Sequence, residues 1–447
     1  MNKKTLGKDE RDSLINNLRK AGRGGAGIAQ RRPSRPKQKF SDLPGFKEMK
    51  IQRAAADLLK VDNPFFRAHD GRASDTTHID GKAYLNFASY DYLGLNGHPE
   101  VIEAAKAAAD HYGISAGASR VVAGERPIHR ALEEQLAKLY GVESAVAFVS
   151  GHATNVTVIG QLMEQEGLIL HDSYIHNSIV TGAKLSGAVR QSFAHNDYEA
   201  LERILENRAH RHKRVLIVVE GIYSMDGDFP DLPRLLEIKR KYNAWLMVDE
   251  AHSLGILGKT GRGLAEHFGI DPREVDIWMG TFSKTLAGCG GYIAGSQDLV
   301  EYLKFSVSGF VFSVGLAPPI AAACHRAAQI MIQEPERVQK AQANCLYFKE
   351  LCQKAGFDTG ESQGYAVVPI MVGDSLKATV LSSRLLDRGV NALPIIFPAV
   401  PEKSARLRFF ITSQHSKQQL EQAVEAVKDA MADLEANPVT IAQLAKR

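Results

Sequence analysis

Between residues 145 and 282 the chain alternates short apolar runs with helix-length segments, and this alternation restricts the possible folds more than any other feature. The apolar runs are 145–150, 167–170, 215–221, 245–251 and 276–282. Continuous apolar runs are typical of strands buried on both faces, and helices between them supply the crossovers of a parallel sheet. The sequence therefore predicts an α/β domain with a largely parallel central sheet.

The regions on either side predict two further parts of the chain. Before the alternating region we expect helices at 45–60, 99–112 and 129–141, a strand at 83–88, and a glycine- and serine-rich loop at 113–127. After it, a helix pair over 319–355 precedes shorter strands and helices, which is typical of a smaller C-terminal α+β domain. The predicted division is a flexible basic arm (1–40), an N-terminal segment (41–98), a large domain (99–330), a small domain (331–435) and a tail (436–447).

The composition excludes several classes of protein. Hydrophobic residues make up 44% and charged residues 24%, which is ordinary for a globular protein and excludes a mainly disordered chain. No apolar stretch reaches the ~18 residues of a membrane span, and the start lacks the apolar region of a secretory signal. The four cysteines are far apart and the histidines match no ligand spacing, so neither a disulfide framework nor a metal site is expected. We expect a cytoplasmic enzyme.

Charge is concentrated at the N-terminus. Residues 1–40 hold twelve Lys or Arg and three acidic residues, a net charge of +9; because the whole chain is +4, the rest is −5. Residues 21–39 are rich in Gly, Pro and Arg, which is typical of a flexible segment. Such an arm fits an acidic protein partner, an anionic membrane surface, nucleic acid, or a solvated linker without a partner. Charge alone leaves these four interpretations open.

Polar residues follow every apolar run of the predicted sheet. They include Gly151 and His152, then His176, Ser224, Asp249 with His252, and Thr281 with Lys284. The carboxyl ends of parallel strands meet at one edge, where α/β proteins bind their ligands. One polar residue at such a place is usually a turn or a helix cap, but five strand ends in succession indicate a functional site.

The residue types at this edge fit one cofactor. Asp249, at the tip of an apolar strand, can keep a ring nitrogen protonated. Thr281, beside glycine amides, suits a phosphate. Lys284 lies in an apolar, glycine-rich segment, where burial lowers the pKa of its amine and favours a Schiff base. Pyridoxal phosphate needs these groups. A nicotinamide site is not supported, because the G-x-G patterns at 24–27 and 288–291 lack the required strand and acidic residue.

Five motifs, in order and spacing, make the chain similar to a known family. They are Asp91-Tyr92-Leu93-Gly94-Leu95, Glu220-Gly221-x-Tyr223-Ser224-Met225-Asp226-Gly227-Asp228, Val248-Asp249-Glu250-Ala251-His252-Ser253, Thr281-x-Ser283-Lys284 and Arg406-Leu407-Arg408. Over residues 45–435 the sequence resembles the α-oxoamine synthases. That family includes 8-amino-7-oxononanoate synthase, 2-amino-3-ketobutyrate ligase, 5-aminolevulinate synthase and serine palmitoyltransferase. The resemblance implies the fold of the fold-type I PLP-transferases, pyridoxal phosphate, and a homodimer with active sites at the subunit interface.

The resemblance also implies roles at the cofactor. Lys284 matches the lysine that forms the Schiff base and acts as the base at the α-carbon, and Asp249 matches the partner of the ring nitrogen. The other matches are His252 and Ser224 around the ring hydroxyl, His176 stacked on the ring, and Thr281 with the amides of Gly151 and His152 at the phosphate.

Three further positions concern the substrates. Arg408 matches the residue that binds the amino-acid carboxylate, with Arg406 as the alternative. Tyr90 stands where oxononanoate and aminolevulinate synthases carry Asn, whereas serine palmitoyltransferases and polyketide-associated synthases often carry Tyr. Ser119 lies where relatives sort glycine from larger amino acids. The family reaction joins an amino acid to an acyl thioester with loss of carbon dioxide, so we expect serine, alanine or glycine as the amino acid.

The acyl donor is the last expectation. Segment 393–398 lacks the Arg that several relatives carry, and 39–67 resembles polyketide-associated members, which use acyl carrier proteins. Carrier proteins are acidic and the arm is basic, so we expect an acyl carrier protein as partner. A coenzyme-A-dependent synthase, a non-catalytic partner subunit and an aminotransferase are the alternatives. We expect no nucleic-acid partner.

Overall fold

The computed structural model describes residues 9, 12, 13, 16, 37–59 and 63–438. The chain divides into two compact units, 1–58 and 59–447. In the first unit, a 3₁₀ turn at Phe40–Asp42 precedes helix α1 at Pro44–Leu59, which confirms the helix predicted at 45–60. Most of the predicted flexible arm and the predicted tail from residue 439 onward lie outside the described residues.

The second unit contains the strands and the remaining helices of the described residues. The strands are β1 (Thr76–Ile79), β2 (Lys82–Asn86), β3 (Ser144–Phe148), β4 (Gly167–Asp172), β5 (Val189–Phe193), β6 (Arg214–Glu220), β7 (Trp245–Asp249), β8 (Ile277–Thr281), β9 (Gly291–Gly295), β10 (Val367–Gly373), β11 (Val390–Asn391), β12 (Leu393–Ile395) and β13 (Ala405–Phe410). The helices are α2 (Pro99–Tyr112), α3 (Pro127–Tyr140), α4 (Gly151–Leu162), α5 (Asn177–Ser186), α6 (Tyr198–Arg208), α7 (Leu232–Tyr242), α8 (Leu264–Phe268), α9 (Gln297–Ser306), α10 (Ser308–Val311), α11 (Pro318–Gln333), α12 (Pro335–Lys354), α13 (Ser375–Asp387) and α14 (Lys417–Ala436).

A seven-stranded sheet, counted over the described residues, forms the centre of this unit. Its strand order is β3-β9-β8-β7-β6-β4-β5; the last five strands run parallel, and β9 is antiparallel to both neighbours. The segments 168–170, 216–219 and 246–248 are buried on both faces. All five apolar runs form strands, which confirms the α/β fold with a mostly parallel sheet.

The sequence analysis missed two strands of this sheet. Strand β5 lies at the sheet edge and is largely exposed, so no continuous apolar run marks it. Strand β9 begins and ends with glycine, a residue that is depleted in strands. A Cβ atom at Gly291 would lie 2.7 Å from the Cα of Gly151, so the absence of a side chain brings β9 close to the start of α4.

The prediction of a loop at 113–127 is wrong over residues 120–124, because these residues form a π-helical turn. Arg120 is buried in this turn and pairs with Glu133 of α3, and its Nη2 donates to Glu125 Oε1 at 2.9 Å. A buried guanidinium requires such partners. This ion pair forms only in the folded chain, so the glycine and serine content of the segment gave no sign of it.

The C-terminal region forms a separate sheet of β10, β13 and β12, packed against α12, α13 and α14 around Phe348 and Phe409. The predicted helix pair over 319–355 is present as α11 and α12. Strand β11 pairs with β2, so residues 82–86 share a sheet with 390–391. The domain boundaries at residues 98 and 330 stay predictions. None of the described helices is long and apolar enough to cross a membrane.

Candidate active site

A cavity of about 290 Å³ opens at the carboxyl ends of the parallel strands. The predicted residues that line it are Gly151, His152, His176, Asp249, His252, Thr281 and Lys284. Asn155, Ser178 and Glu220 also line it, although the sequence analysis gave them no role. Predicted polar residues that follow four of the five strands therefore line one cavity, whereas Ser224, predicted after the remaining strand, does not; the individual roles stay predictions.

One end of the cavity suits a phosphate. Gly151 begins the twelve-residue helix α4, and the hydroxyl of the preceding Ser150 accepts a hydrogen bond from the Ala153 amide at 3.3 Å. A Cβ atom at Gly151 would lie 2.7 Å from Thr281 Oγ1, so a side chain there would fill the space beside the helix start. The Thr281 hydroxyl is itself held in place, because it donates to the Gly290 carbonyl at 2.9 Å. Helix N-termini bind anions. This end therefore fits the phosphate of pyridoxal phosphate.

Asp249, the last residue of β7, is 4% exposed and points a carboxylate into the cavity. Its Oδ2 accepts a hydrogen bond from Asn155 Nδ2 at 2.8 Å, and its Oδ1 accepts one from the Ala251 amide at 3.0 Å. Sequence reasoning missed Asn155, although its position one turn after Gly151 on α4 could have shown that it faces the sheet. A carboxylate held in this way suits a cationic ring nitrogen.

Lys284 lines the cavity and is buried there. Burial lowers the pKa of its amine to about 8, and this effect outweighs the opposing influence of Asp249 and Glu220. The Nζ atom lies 5.8 Å from the centre of the Tyr90 ring. An amine with a pKa near neutrality is deprotonated often enough to act as a nucleophile or base.

Two imidazole rings face the cavity with a defined orientation. The rings of His152 and His176 are 6.3 Å apart, edge to face. His176 Nδ1 is 2.7 Å from Ser178 Oγ, and the same hydroxyl accepts a hydrogen bond from Asn155 Nδ2 at 3.0 Å. Burial lowers the pKa of His176, although Asp249 opposes the shift. The chain of contacts from Asp249 through Asn155 and Ser178 therefore fixes the ring of His176.

His252 is buried against an aromatic cluster. Its Nδ1 is 2.7 Å from the hydroxyl oxygen of Tyr92, and its ring lies parallel to that of Phe410. Burial, together with the charge of Lys284, holds the pKa of His252 well below its usual range, so the ring is neutral. Sequence reasoning placed Tyr92 in a motif but did not connect it with His252.

Two neighbouring arginines on β13 differ in their partners. Arg406 forms an ion pair with Asp226. Arg408 donates through Nη1 to the Ser224 carbonyl at 3.1 Å and lies 4.5 Å from the Phe410 ring centre, but it has no carboxylate partner among the described residues. Of the two, Arg408 is the one available to a substrate carboxylate.

The remaining predicted residues lie outside the set that lines the cavity. Tyr90 packs edge-on against Phe410 at 4.7 Å and stays 41% exposed. Ser224 accepts a hydrogen bond from Arg408 through its carbonyl, and it does not line the cavity. Ser119 donates to the Val311 carbonyl at 2.6 Å, and it does not line the cavity. The substrate roles of Tyr90 and Ser119 stay predictions.

Comparison with known proteins agrees with the geometry of this site. Residues 82–427 match the family model for aminotransferases of class I and II. A structure of Sphingomonas wittichii serine palmitoyltransferase is similar over 90% of this chain and all of that one, with a TM-score of 0.85 and 28% identity. A structure of SPT with PLP also matches, with a TM-score of 0.85 and 27% identity over 89% of this chain and all of that one. The chain is a fold-type I transferase whose cofactor is pyridoxal phosphate.

Sequence relatives narrow this class. 8-Amino-7-oxononanoate synthase 1 of Bacillus velezensis is 37% identical over 391 residues, 87% of this chain and 99% of that one. The 4-hydroxy-2,2'-bipyrrole-5-methanol synthase PigH of a Serratia species is 40% identical over 76% of this chain, which spans 52% of PigH. This chain belongs to the α-oxoamine synthases, the acyl-transferring enzymes of that class. Both of these relatives are named as synthases, whereas the name of the matching family model covers aminotransferases.

Proposed function

We propose that this enzyme joins L-serine, L-alanine or glycine to an acyl thioester, releasing carbon dioxide and a thiol and leaving an α-amino ketone. The observation that carries this proposal is that Lys284 and Asp249 line one cavity, while Arg408, which has no carboxylate partner among the described residues, lies outside its lining but near it. Arg408 is close enough to Lys284 for its charge to lower the pKa of the lysine amine. A cation without a carboxylate partner, next to an amine of lowered pKa, suits an amino acid better than an acyl group.

Each of these residues would have a different role in the reaction. When bound, pyridoxal phosphate supplies an electron sink for the charge that develops at the α-carbon. Asp249 would hold the ring nitrogen in its charged form, and Arg408 would bind the amino-acid carboxylate. The Lys284 amine, whose pKa is lowered to about 8, would take up and return the proton at the α-carbon. The neutral His252 adds a hydrogen-bonding group without adding a charge.

An absorbance experiment tests the amino-acid half of this proposal. The purified protein is mixed with pyridoxal phosphate and its spectrum is recorded before and after addition of glycine, L-alanine and L-serine. We expect a cofactor band that one amino acid shifts, and turnover of an acyl thioester with that amino acid alone. A protein that binds the cofactor but responds to none of the three would contradict the choice of substrates.

For the acyl half, we propose a donor carried by an acyl carrier protein. The net charge of +9 on residues 1–40, against −5 on the rest of the chain, supports this donor because carrier proteins are acidic. Association would then be fast at low salt and would fall as the ionic strength rises. Acyl-coenzyme A is the competing donor.

Deletion of residues 1–40 tests which of the two acyl donors the enzyme uses. We expect the deletion to raise the KM for the acyl carrier protein about tenfold at low salt and to leave the KM for the matching acyl-coenzyme A unchanged. A full-length enzyme that uses acyl-coenzyme A equally well, with no effect of the deletion, would favour the coenzyme-A-dependent alternative. Cofactor absorbance of the shortened enzyme serves as the control for folding.

We propose further that the enzyme is a homodimer. Ile114, Val122 and Phe312 expose 75%, 83% and 86% of their surface. The hydrogen bond from Ser119 to the Val311 carbonyl, 2.6 Å long, joins the two segments that carry them. An exposed apolar patch of this kind supports a protein contact. Light scattering should give a dimer for the wild type and a monomer for the double variant Val122→Asp and Phe312→Asp.

The state of the cysteines supports a proposal for the place of the enzyme in the cell. All four are unpaired, and three of them are buried. Unpaired thiols are typical of proteins in reducing compartments. We therefore propose that the enzyme acts in the cytoplasm, and fractionation of cells that produce it should recover its activity there.

A further inference from the structure

Glu220, the last residue of β6, lies beside Asp249 at the cavity, and no step above uses it. The two residues are paired across neighbouring strands. Glu220 lines the cavity but is only 3% exposed. Its Oε2 accepts a hydrogen bond from the Ser224 amide at 3.3 Å, whereas its Oε1 is buried and has no hydrogen-bond partner among the described residues. A buried oxygen without a partner costs free energy, so this one marks a position that a ligand can fill.

The surroundings of this carboxyl group favour its neutral form. Burial raises the pKa of Glu220 well above its usual value and the charge of Asp249 raises it further, and these effects outweigh the opposing influence of Lys284 and of the His176 and Ser224 backbone amides. Tyr223 also faces the carboxyl group, but a phenol carries no charge at neutral pH. Because Oε2 already accepts a hydrogen bond, Oε1 is the oxygen that carries the proton. A neutral carboxyl group in this position is a hydrogen-bond donor.

The strand order indicates what this donor meets. Strand β8, which ends at Thr281, lies on one side of β7, and β6 lies on the other. A pyridoxal ring with its nitrogen at Asp249 and its phosphate near Thr281 and Gly151 turns its opposite edge toward β6. That edge carries the ring methyl and hydroxyl groups, and of the two only the hydroxyl group can form a hydrogen bond.

We propose that Glu220 is a neutral carboxylic acid whose Oε1 donates a hydrogen bond to the ring hydroxyl oxygen of bound pyridoxal phosphate. The proposal rests on the proposed function only for the position of the ring. It makes Glu220 a cofactor-binding residue in addition to those that sequence motifs assign. Such a hydrogen bond stabilises the ionised ring hydroxyl and therefore affects both the affinity for the cofactor and its absorbance.

Cofactor titration of two variants tests the donor. Glu220→Gln keeps a neutral donor at the same position, so we expect its dissociation constant for pyridoxal phosphate to stay within about threefold of the wild type. Glu220→Ala removes the donor and should weaken binding about tenfold, the effect of one hydrogen bond. Fluorescence quenching of the cofactor-free protein measures both constants, and circular dichroism confirms that each variant is folded.

Glu250→Gln is a matched control. Glu250 is another buried carboxyl group, and burial raises its pKa to about 7. Its oxygens are both occupied, by the Ser253 hydroxyl at 2.5 Å and the Leu264 amide at 2.8 Å, and it does not line the cavity. We expect the Glu250 variant to be less stable but to bind pyridoxal phosphate with unchanged affinity and absorbance.

The pH dependence of the cofactor-free protein gives a second readout. The folded state keeps the Glu220 proton to a higher pH than the unfolded state does. The free energy of unfolding therefore falls as pH rises above about 4.5, the ordinary pKa of this group. Glu220→Gln removes this loss, so the stability of the variant relative to the wild type should increase with pH. A flat difference would show that Glu220 is ionised in the folded protein and would overturn the proposal.

The cofactor-binding results also distinguish a failure of the Glu220 proposal from a failure of the proposed function. If Glu220→Gln weakens cofactor binding as much as Glu220→Ala, or if neither variant weakens it, Glu220 donates no such hydrogen bond. If Glu220→Ala does not fold, the Gln variant decides alone, because wild-type affinity should fall at high pH while the variant keeps its affinity. A wild type that fails to bind pyridoxal phosphate would instead remove the proposed function.

Discussion

Two clusters of buried polar residues lie at the same edge of the sheet, and only one of them lines the cavity. In the closed cluster, His195 is 2.9 Å from Asp172 and 2.8 Å from Asp228, and the Asn196 amide donates to Asp172 at 2.9 Å. Asp228 keeps one oxygen without a hydrogen-bond partner among the described residues, but none of these residues lines the cavity.

The open cluster surrounds Asp249. Asn155 Oδ1 and Glu220 Oε1 are buried there without partners, and both residues line a cavity. The closed cluster joins the segment before His176 to the segment after Ser224, so it holds the loops in place. The open cluster leaves hydrogen-bonding positions to a ligand. The difference shows that two sets of conspicuous polar residues next to each other can serve binding in one case and positioning in the other.

Removal of the reactive amine from the open cluster should have the largest effect. We expect Lys284→Ala to lower kcat roughly a thousandfold or more, because it removes both the attachment of the cofactor and the proton-transferring group. Stopped assays of product and the absorbance of the cofactor measure the two losses. Activity within tenfold of the wild type would mean that another group moves the proton.

The two arginines of β13 allow a similar comparison, because Arg408 has no carboxylate partner among the described residues whereas Arg406 is paired with Asp226. Arg408→Ala should raise the KM for the amino acid about a hundredfold with little loss of stability, since a charged hydrogen bond to substrate is lost. Arg406→Ala leaves Asp226 buried without its partner and should lower the free energy of unfolding by about 3 kcal/mol. Urea denaturation and steady-state kinetics of both variants check the contrast, and exchanged effects would reverse the assignment.

A substitution in the closed cluster should lower the free energy of unfolding by an amount that depends on pH. Burial alone would lower the pKa of His195, but the hydrogen bonds with Asp172 and Asp228 raise it to about 10. His195→Gln should therefore cost about 2 kcal/mol of stability at neutral pH, because two buried carboxylates lose their cation. The raised pKa stabilises the fold fully below about 6.5, and this contribution is lost as pH rises toward 10.

Urea denaturation at several pH values measures the His195 effect. The difference between wild type and His195→Gln should shrink steadily from pH 6.5 to pH 10. His210→Gln, at an exposed histidine, is the control and should show no such trend. A difference that stays constant over this range would mean that His195 is neutral in the folded protein.

The parts of the fold that depend on local pattern could be predicted from the sequence. The buried strands β4, β6 and β7 are continuous apolar runs, and Asp249 and Lys284 follow such runs. Strand β5 and the turn at 120–124 depend on an edge position and on the Arg120–Glu133 ion pair, which only the folded chain brings about.

Partners of site residues were harder to predict than the residues themselves. Asn155 lies 94 positions before Asp249 in the chain, yet it donates a hydrogen bond to it. Tyr92 lies 160 positions before His252 and contacts its ring. Polar residues in helices and turns usually cap or face solvent, so their types alone do not indicate such contacts.

The smallest expected effect concerns one of these partners. Asn155→Ala removes the hydrogen bond to Asp249, 2.8 Å long, while the carboxylate keeps the bond from the Ala251 amide. We expect kcat to fall about tenfold, the effect of one hydrogen bond to a charged group, with the KM for the acyl thioester unchanged. Asn207→Ala, at an exposed asparagine, is the control. If the variant loses stability but keeps its kcat, Asn155 belongs with the closed cluster, and unpartnered atoms would not by themselves distinguish a binding site from a structural one.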